Sequence, residues 1–420
     1  MNRKPLKVAI AGLGGYARAH HTVFQALEER GETLLIATCD PALPKLDQAC
    51  QELNFAARGV SAYPDFTEMM QRHGADLDLM VIATPVHLHA PMHAACVEAG
   101  IACYLEKPPT LNPAELAQML ATEQQARYAT HVGFHFIHQE ERRKLKQRML
   151  DGEFGAFRGA SYRGFTRRSR HYFTRNGWAG RLLMHGNLLL DSCCGNAMAH
   201  QINNILFFAG QEGLDAWAQP REVQAELYRV NAIEGTDTVF ARCTLESGFD
   251  IRIAASHASH VDAEVSEERL EFEKASIEVH ANHPSRIRYR DGREEEIPTS
   301  SASLDDNVQD YLDYLNGRKD RPTVRLVDTR PFVELDALLY VAAPAITQIP
   351  KEDIDEAFFH KDTLPTLLLR DLKAAADRWL NEGKLPSEAG FPWAGANGHA
   401  TTADLPRLFE AVQKLAAPKS

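Results

Sequence analysis

The stretch from Leu79 to Pro109, LMVIATPVHLHAPMHAACVEAGIACYLEKPP, constrains what this chain can fold into more than any other. The apolar run Leu79 to Ala83 reads as a buried strand. Thr84-Pro85 breaks it, and a helix-like segment runs on to Ala99. Gly100 ends that segment, and a second apolar run, Ile101 to Leu105, leads into Glu106-Lys107-Pro108. Strand, crossover helix and strand in this order is the rhythm of a parallel sheet. Ligands of such sheets bind at the carboxyl ends of the strands, where Thr84-Pro85 and Glu106-Lys107-Pro108 both fall. Two polar turns side by side there mark a site.

The same rhythm opens the chain. Lys7 to Ala11 is an apolar run that ends in Gly12-Leu13-Gly14-Gly15-Tyr16-Ala17, which fits GxGxxA, and a helical segment, Arg18 to Glu29, follows. Gly12 permits a tight turn, Gly14 lets the backbone approach a pyrophosphate, and Ala17 allows the helix to pack closely on the strand. The helix N-terminus then faces the phosphates. The next run, Thr33 to Cys39, ends at Asp40, 23 positions after Ala17 and near the offset of about 20 expected for an acid on the ribose hydroxyls. A carboxylate there favours a free 2'-hydroxyl and repels a 2'-phosphate, so NAD is expected ahead of NADP. The bland reading of Asp40 is a turn residue before Pro41. Tyr63 to Arg72 reads as a short helix, Asn112 to Ala129 as a longer one, and His131 to Phe134 as a sixth strand. Together these runs make a doubly wound nucleotide-binding domain over residues 1–135.

GLGGYA, the terminal Asp40, ATPVHLH and LEKPP, in this order and spacing, resemble the Gfo/Idh/MocA oxidoreductase family. The resemblance covers roughly residues 6 to 345 and is strongest over the first 135. It implies an α/β protein: an N-terminal Rossmann doubly wound parallel sheet, then a C-terminal α+β domain with a large, mainly antiparallel open sheet. It also implies NAD(P)-dependent hydride transfer on the CHOH group of a sugar, inositol or related polyol. Lys107 would hold the reacting oxygen beside Glu106. Thr84, Pro85, His87 and His89 resemble the family's TPNxxH turn at the nicotinamide end, with Val86 where asparagine is common. His200 fits the catalytic histidine, since Gly210 follows where a helix-ending glycine is expected. Asn196 and Asn203 stand where the pattern usually has aspartates; an aspartate would raise the imidazole pKa, whereas an amide can only orient the ring. Asn196, His200 and Asn203 would share one helical face. An alternative alignment makes Asp191 the family's aspartate and puts Gly195 in place of the histidine. His135 and Trp178 are further substrate-side candidates.

The second half supports this plan by its own pattern. Residues 138–151 read as a charged helix, and FRGASYRGF, REVQAELYRV, TDTVFARCTL, FDIRIAASH, RLEFEKASIEVH and SRIRYR alternate as strands of an antiparallel sheet do. Ser303 to Asn316 opens with a capping box, and Pro331 to Ala343 is another helix. The sheet domain is expected over residues 136–345. A helical extension is expected over 346–420, with helices at Leu367 to Asn381 and near Ala403 to Leu415.

A net charge of -11 excludes a broad phosphate-binding surface and hence nucleic acid. The one basic cluster, Arg163 to Arg175, is interleaved with aromatics and reads as an anion-binding or subunit-contact loop. Seven cysteines with no CxxC spacing fit a reducing compartment. Cys193-Cys194 with His185 and His200 offers poor tetrahedral geometry, so no metal is expected. No apolar run approaches the roughly 20 residues that span a bilayer, and the N-terminus enters a strand at once, so the expected location is cytoplasmic. By resemblance the chain forms a homodimer or homotetramer. The rival readings are a redox-neutral, NAD-dependent glycosidase and a dinucleotide-sensing regulator without turnover.

Overall fold

Six short runs close into one parallel sheet: β1 (Leu6–Ala11), β2 (Thr33–Cys39), β3 (Ser61–Tyr63), β4 (Leu79–Ile82), β5 (Ala102–Leu105) and β6 (His131–Val132). The order across the sheet is β3-β2-β1-β4-β5-β6. The structure is a computed structural model that describes residues 4–280, 283–300, 303–359 and 363–416. The chain divides into two units: residues 1–110, 114–138 and 302–329 form the first, and 111–113, 139–301 and 330–420 the second.

In the first unit, β4 and β5 are buried along their whole length, as parallel strands are when both faces are covered. That is why they read as continuous apolar runs without alternation. The chain leaves β1 for β2 and β3 on one side, and proceeds from β4 to β5 and β6 on the other. Between β1 and β4 lies the topological switch point, where such sheets open a crevice. The backbone ladder runs past the strand ends, with Gly12 N–H bonded to Cys39 O at 2.8 Å and Ala83 N–H to Ala11 O at 3.0 Å. Those bonds set the glycine turn after β1 beside the Thr84 turn after β4.

The helix Leu304–Leu315, placed in the sheet domain by the sequence reading, packs in the first unit. Val308, Tyr311 and Leu312 join the core of Val8, Ile10, Phe24, Leu79 and Tyr104. Their spacing puts them on one face, and Tyr311 donates to Ala129 O while accepting from Cys103 N–H. The Ser303 capping box is present, closed by Asp306.

The second unit is built on a mixed sheet. Its strands are β7 (Phe157–Phe165), β10 (Pro220–Arg229), β11 (Thr238–Leu245), β12 (Asp250–Ser256), β13 (Val265–Phe272), β14 (Ala275–Val279), β15 (Ser285–Tyr289), β16 (Glu294–Ile297), β17 (Ile346–Gln348) and β20 (Gly398–Thr401). The path is β16-β15-β14-β13-β7-β12-β11-β10-β17, with β20 also on β10. Pairing is antiparallel except for β7 with β12 and β10 with β17. Two ribbons stand apart: β8 (Leu183–Met184) with β9 (Asn187–Leu188), and β18 (Ile354–Ala357) with β19 (Thr366–Leu369).

Two expectations are corrected here. RLEFEKASIEVH is a hairpin, because the ladder of β13 on β14 turns between them at Glu273-Lys274. The segment after 345 is no separate extension, since β17 and β20 lengthen the sheet. Leu372, Ala375, Ala376 and Trp379 of the helix Leu372–Glu382 enter a core with Phe165, Tyr228, Phe240 and Ala254. Leu367 and Leu369 belong to β19; the helix starts only after Asp371, whose φ of +56° breaks the run. No helix among the described residues is long and apolar enough to cross a membrane.

Candidate active site

In the first unit the glycine turn explains its own sequence. Gly12 has φ +107°, and a Cβ there would sit 2.6 Å from Ala83 O and 3.0 Å from Ala17 Cβ. Only glycine fits between the two strand ends. Gly15 also has positive φ, and a Cβ on Gly14 would meet nothing nearer than Asp40 Oδ2 at 3.8 Å, so the turn is open on that side. Asp40 lies over it: Oδ2 accepts from Leu13 N–H at 3.0 Å and Gly14 N–H at 3.2 Å, and Oδ1 from Ala42 N–H at 2.8 Å. Ala17 starts the helix Ala17–Glu29. The side chain of Leu13 is buried in the core, which leaves only its backbone at the turn. Tyr16 is 55% exposed and stands edge-on to His20.

At the other edge Glu106 is buried. His20 Nε2 donates to its Oε1 at 2.9 Å and Lys107 N–H to its Oε2 at 3.1 Å. Burial works against its ionisation, but the His20 bond and the Lys107 charge outweigh that and hold the carboxyl below its usual range. His20 lies on the first helix, and its bond to Glu106 ties that helix to the Glu-Lys-Pro turn. Lys107, Thr84, Pro85 and His87 are half-buried, and Thr84 Oγ1 contacts Met92 Sδ. His89 is buried and faces Pro108 O and Pro109 O through Nδ1 and Thr84 O through Nε2. Burial lowers its pKa. Both its nitrogens face backbone carbonyls, and the ring of His89 fills the space between the two turns. His135 opens a short 3₁₀ segment, its ring against Phe136.

His131, His138 and Asp310 also converge in this unit. The carboxylate of Asp310 already takes the Lys319 ammonium and the N–H and hydroxyl of Thr323, so its charge is met from within the chain.

In the second unit, Leu190 has φ +51°, a costly conformation for a branched residue, and delivers Asp191. A π-helical turn over Cys193–Ala197 follows, with Ser192 Oγ accepting from Gly195 N–H at 2.9 Å, and the helix Ala199–Ala209 comes after it. Such turns occur disproportionately at functional sites. Asn196 therefore lies in the π-turn and His200 in the α-helix, and the single helical face expected for Asn196, His200 and Asn203 is interrupted. Asn196 Nδ2 donates to Asp191 Oδ1 at 2.8 Å, and Gly180 N–H to Asp191 Oδ2 at 2.6 Å. Asp191 thus holds the amide that stands before His200. Asn196, His200 and Trp178 are half-buried, whereas Asn203 is fully buried.

Asp336 went unnoticed in the sequence. It is buried, and neither carboxyl oxygen has a hydrogen-bond partner. A Cβ on Gly195 would come within 3.3 Å of its Oδ1. Burial, then the charge of Asp191, pushes its pKa up to about 8, so near neutral pH it carries its proton. The available signal was an acid inside the apolar helical run PFVELDALLYVA.

Residues 6–134 match the family described as oxidoreductase family, NAD-binding Rossmann fold. A putative UDP-kanosamine synthase oxidoreductase subunit from Amycolatopsis mediterranei is 24% identical over 277 residues, 62% of this chain and 71% of that protein. The D-glucoside 3-dehydrogenase of Escherichia coli is 24% identical over 155 residues, 37% of this chain and 42% of its own length. Among solved structures, a dehydrogenase from Bordetella pertussis in complex with NADH and UDP-GlcNAcA has a TM-score of 0.62 at 17% identity, covering 80% of this chain and 95% of that one. A levoglucosan dehydrogenase in complex with NADH has a TM-score of 0.65 at 15% identity, covering 80% and 96%. At these identities the structures share the fold.

Proposed function

Because this chain is a Gfo/Idh/MocA oxidoreductase with its NAD-binding Rossmann domain over residues 6–134, we propose that it is an NAD-dependent dehydrogenase. Its substrate is the CHOH group of a sugar, inositol or related polyol. The observation that carries this reading is the glycine turn with Asp40 laid across it, its carboxylate on the N–H groups of Leu13 and Gly14. A negative charge at that point suits a ribose with free hydroxyls and rejects a 2'-phosphate.

Bound NAD supplies the hydride acceptor. The backbone from Gly12 to Ala17, Tyr16 and Asp40 hold its adenosine and pyrophosphate end. Thr84, Pro85, His87, Glu106 and Lys107 frame its nicotinamide end. His89 acts behind them by fixing the turn. The Lys107 ammonium polarises the substrate oxygen, and the buried Glu106 charge keeps that ammonium at the turn. His200 accepts the hydroxyl proton, and Asn196, fixed by Asp191, orients the substrate beside it. His135 and Trp178 line the substrate side. The family resemblance adds a homodimer or homotetramer, which light scattering tests directly, and a cytoplasmic location.

The test is NADH absorbance with purified protein, NAD and a panel of inositols, aldoses and sugar acids. Lys107→Ala and His200→Ala should each lower kcat/KM by roughly 10²–10⁴-fold while NAD still binds. Full turnover in both variants overturns the assignment of roles. Silence of the wild type across the panel, with NAD bound, overturns the dehydrogenase itself.

A further inference from the structure

The segment that follows β7, Thr166 to Arg181, collects cations, and most of them meet no acid among the described residues. Arg167 has Glu264, at 3.9 Å from its guanidinium and accepting its backbone N–H at 3.0 Å. Arg168, Arg170, Arg175 and Arg181 form no ion pair among the described residues. In a chain of net charge -11, four such arginines within fourteen residues are a local excess of positive charge that calls for an explanation.

Aromatic rings hold these guanidinium groups in place. Arg168 and Arg175 lie 4.9 and 3.6 Å from the centroid of Tyr172, and Arg175 lies 5.0 Å from that of Trp178. Arg175 also donates to Tyr172 O. Stacking of this kind orients a guanidinium and leaves its charge unneutralised. Against the edge of Tyr172, at 5.6 Å, stands His257, 1% exposed. Its Nδ1–H donates to Thr166 O at 2.9 Å, which leaves Nε2 as a bare acceptor, and that atom is buried with no partner. Burial, then the nearby Arg168 and Arg175, lowers the His257 pKa to about 4, so the acceptor persists at neutral pH. Nε of Arg168 is likewise a buried donor without a partner. An unmet acceptor and an unmet cationic donor beside one ring suit a ligand that brings both a hydroxyl and an anion.

The segment is joined to the candidate active site within the same unit. Gly180 N–H donates to Asp191 Oδ2, and Asp191 N–H to Arg181 O at 3.0 Å. Asp191 in turn holds Asn196, which stands before His200. The cations and the amide therefore share one hydrogen-bonded frame.

We propose that Arg168 and Arg175, carried on Tyr172 beside His257, form an anion subsite, and that the substrate is an acidic sugar bearing a carboxylate or a phosphate. That the sugar is oxidised rests on the dehydrogenase reading above; that an anion is bound here does not. His257 Nε2 accepts from a ligand hydroxyl, and the two guanidinium groups take the anionic oxygens.

Calorimetric titration of the full-length protein loaded with NAD tests this. The probes are D-glucose, D-glucuronate and UDP-glucose, applied to the wild type, Arg168→Gln, Arg175→Gln and, as a control for charge alone, Arg293→Gln. At least one anionic probe should bind ten-fold or more tightly than glucose. That preference should vanish in Arg168→Gln and Arg175→Gln and survive in Arg293→Gln. Which anion is preferred separates a sugar carboxylate from a sugar diphosphate. The subsite is overturned if glucose binds as tightly as both anions, or if the two arginine variants bind as the wild type does. It is also overturned if those variants change only the assembly mass, which would make the cluster a contact between copies. NADH formation is recorded separately: anion preference without NADH sinks the dehydrogenase and keeps the subsite, and NADH from glucose without anion preference does the reverse.

Discussion

Asp336 carries its proton because nothing around it rewards a charge. Its pKa rises from 3.8 to about 8, so the folded chain holds a proton that the unfolded chain gives up near pH 4. Below about pH 4 both states are protonated and the residue is neutral in the balance. As pH rises from about 4 to about 8 the folded state is increasingly disfavoured relative to the unfolded one, and above about 8 the loss levels off. At roughly 1.4 kcal/mol per unit the full effect is at most about 6 kcal/mol. Asp336→Asn should remove this slope. Denaturant midpoints at pH 5, 7 and 9 should separate the variant from the wild type progressively, and two parallel profiles would refute the assignment. Asp40 gives a second prediction at this scale. Without its charge, repulsion of a 2'-phosphate is gone, so Asp40→Asn should lower the ratio of kcat/KM for NAD over NADP at least ten-fold. An unchanged ratio would mean that the carboxylate only closes the turn.

Among elements, the helix Leu372–Glu382 shows what the last part of the chain does. Trp379 is fully buried and its Nε1–H donates to Ile253 O at 2.9 Å, so one side chain pins the helix to β12 by both packing and a hydrogen bond. Trp379→Ala should cost about 3–5 kcal/mol, visible as a lower thermal midpoint, and a loss under 1 kcal/mol would place the helix outside the core. That helix also marks where sequence pattern stops being informative. Its apolar spacing was legible, but its start was not, because Leu367 and Leu369 fit a helical stripe and a strand equally well until β18 pairs with them. Most of the parallel sheet was legible, since β1, β4 and β5 are largely or wholly buried and read as apolar runs; β3 was not, because its three residues are half-buried and Tyr63 reads as the start of a helix. The site divides in the same way. The glycine turn, Asp40 and Glu-Lys-Pro are local motifs and could be read from spacing. The His20 bond to Glu106, the Asp191 bond to Asn196 and the burial of Asp336 are made by the fold between separated residues. The π-turn that breaks the Asn196–His200 spacing inserts residues without changing composition, and periodicity does not register it.

For the whole molecule, the consequence concerns which pieces of chain can stand alone. The first unit takes residues 302–329 from between β16 and β17 of the large sheet, so the nucleotide-binding domain is not complete at residue 135 or 138. Val308, Tyr311 and Leu312 bury against its core, and at about 1.5–3 kcal/mol for each large side chain their removal forfeits roughly 5–9 kcal/mol. A domain is stable by only about 5–15 kcal/mol, so that loss rivals the total. Removal also strips Cys103 N–H and Tyr104 OH of their partners, Tyr311 and Asn307, deep in the sheet, where an unmet polar group is itself costly. A fragment of residues 1–138 should therefore show no cooperative thermal transition and no NAD binding. The same fragment joined through a Gly/Ser linker to residues 302–329 should regain both. Cooperative unfolding of the short fragment would mean that the helix Leu304–Leu315 only decorates the sheet; failure of the linked form would mean that the first unit draws its stability from more than its own residues.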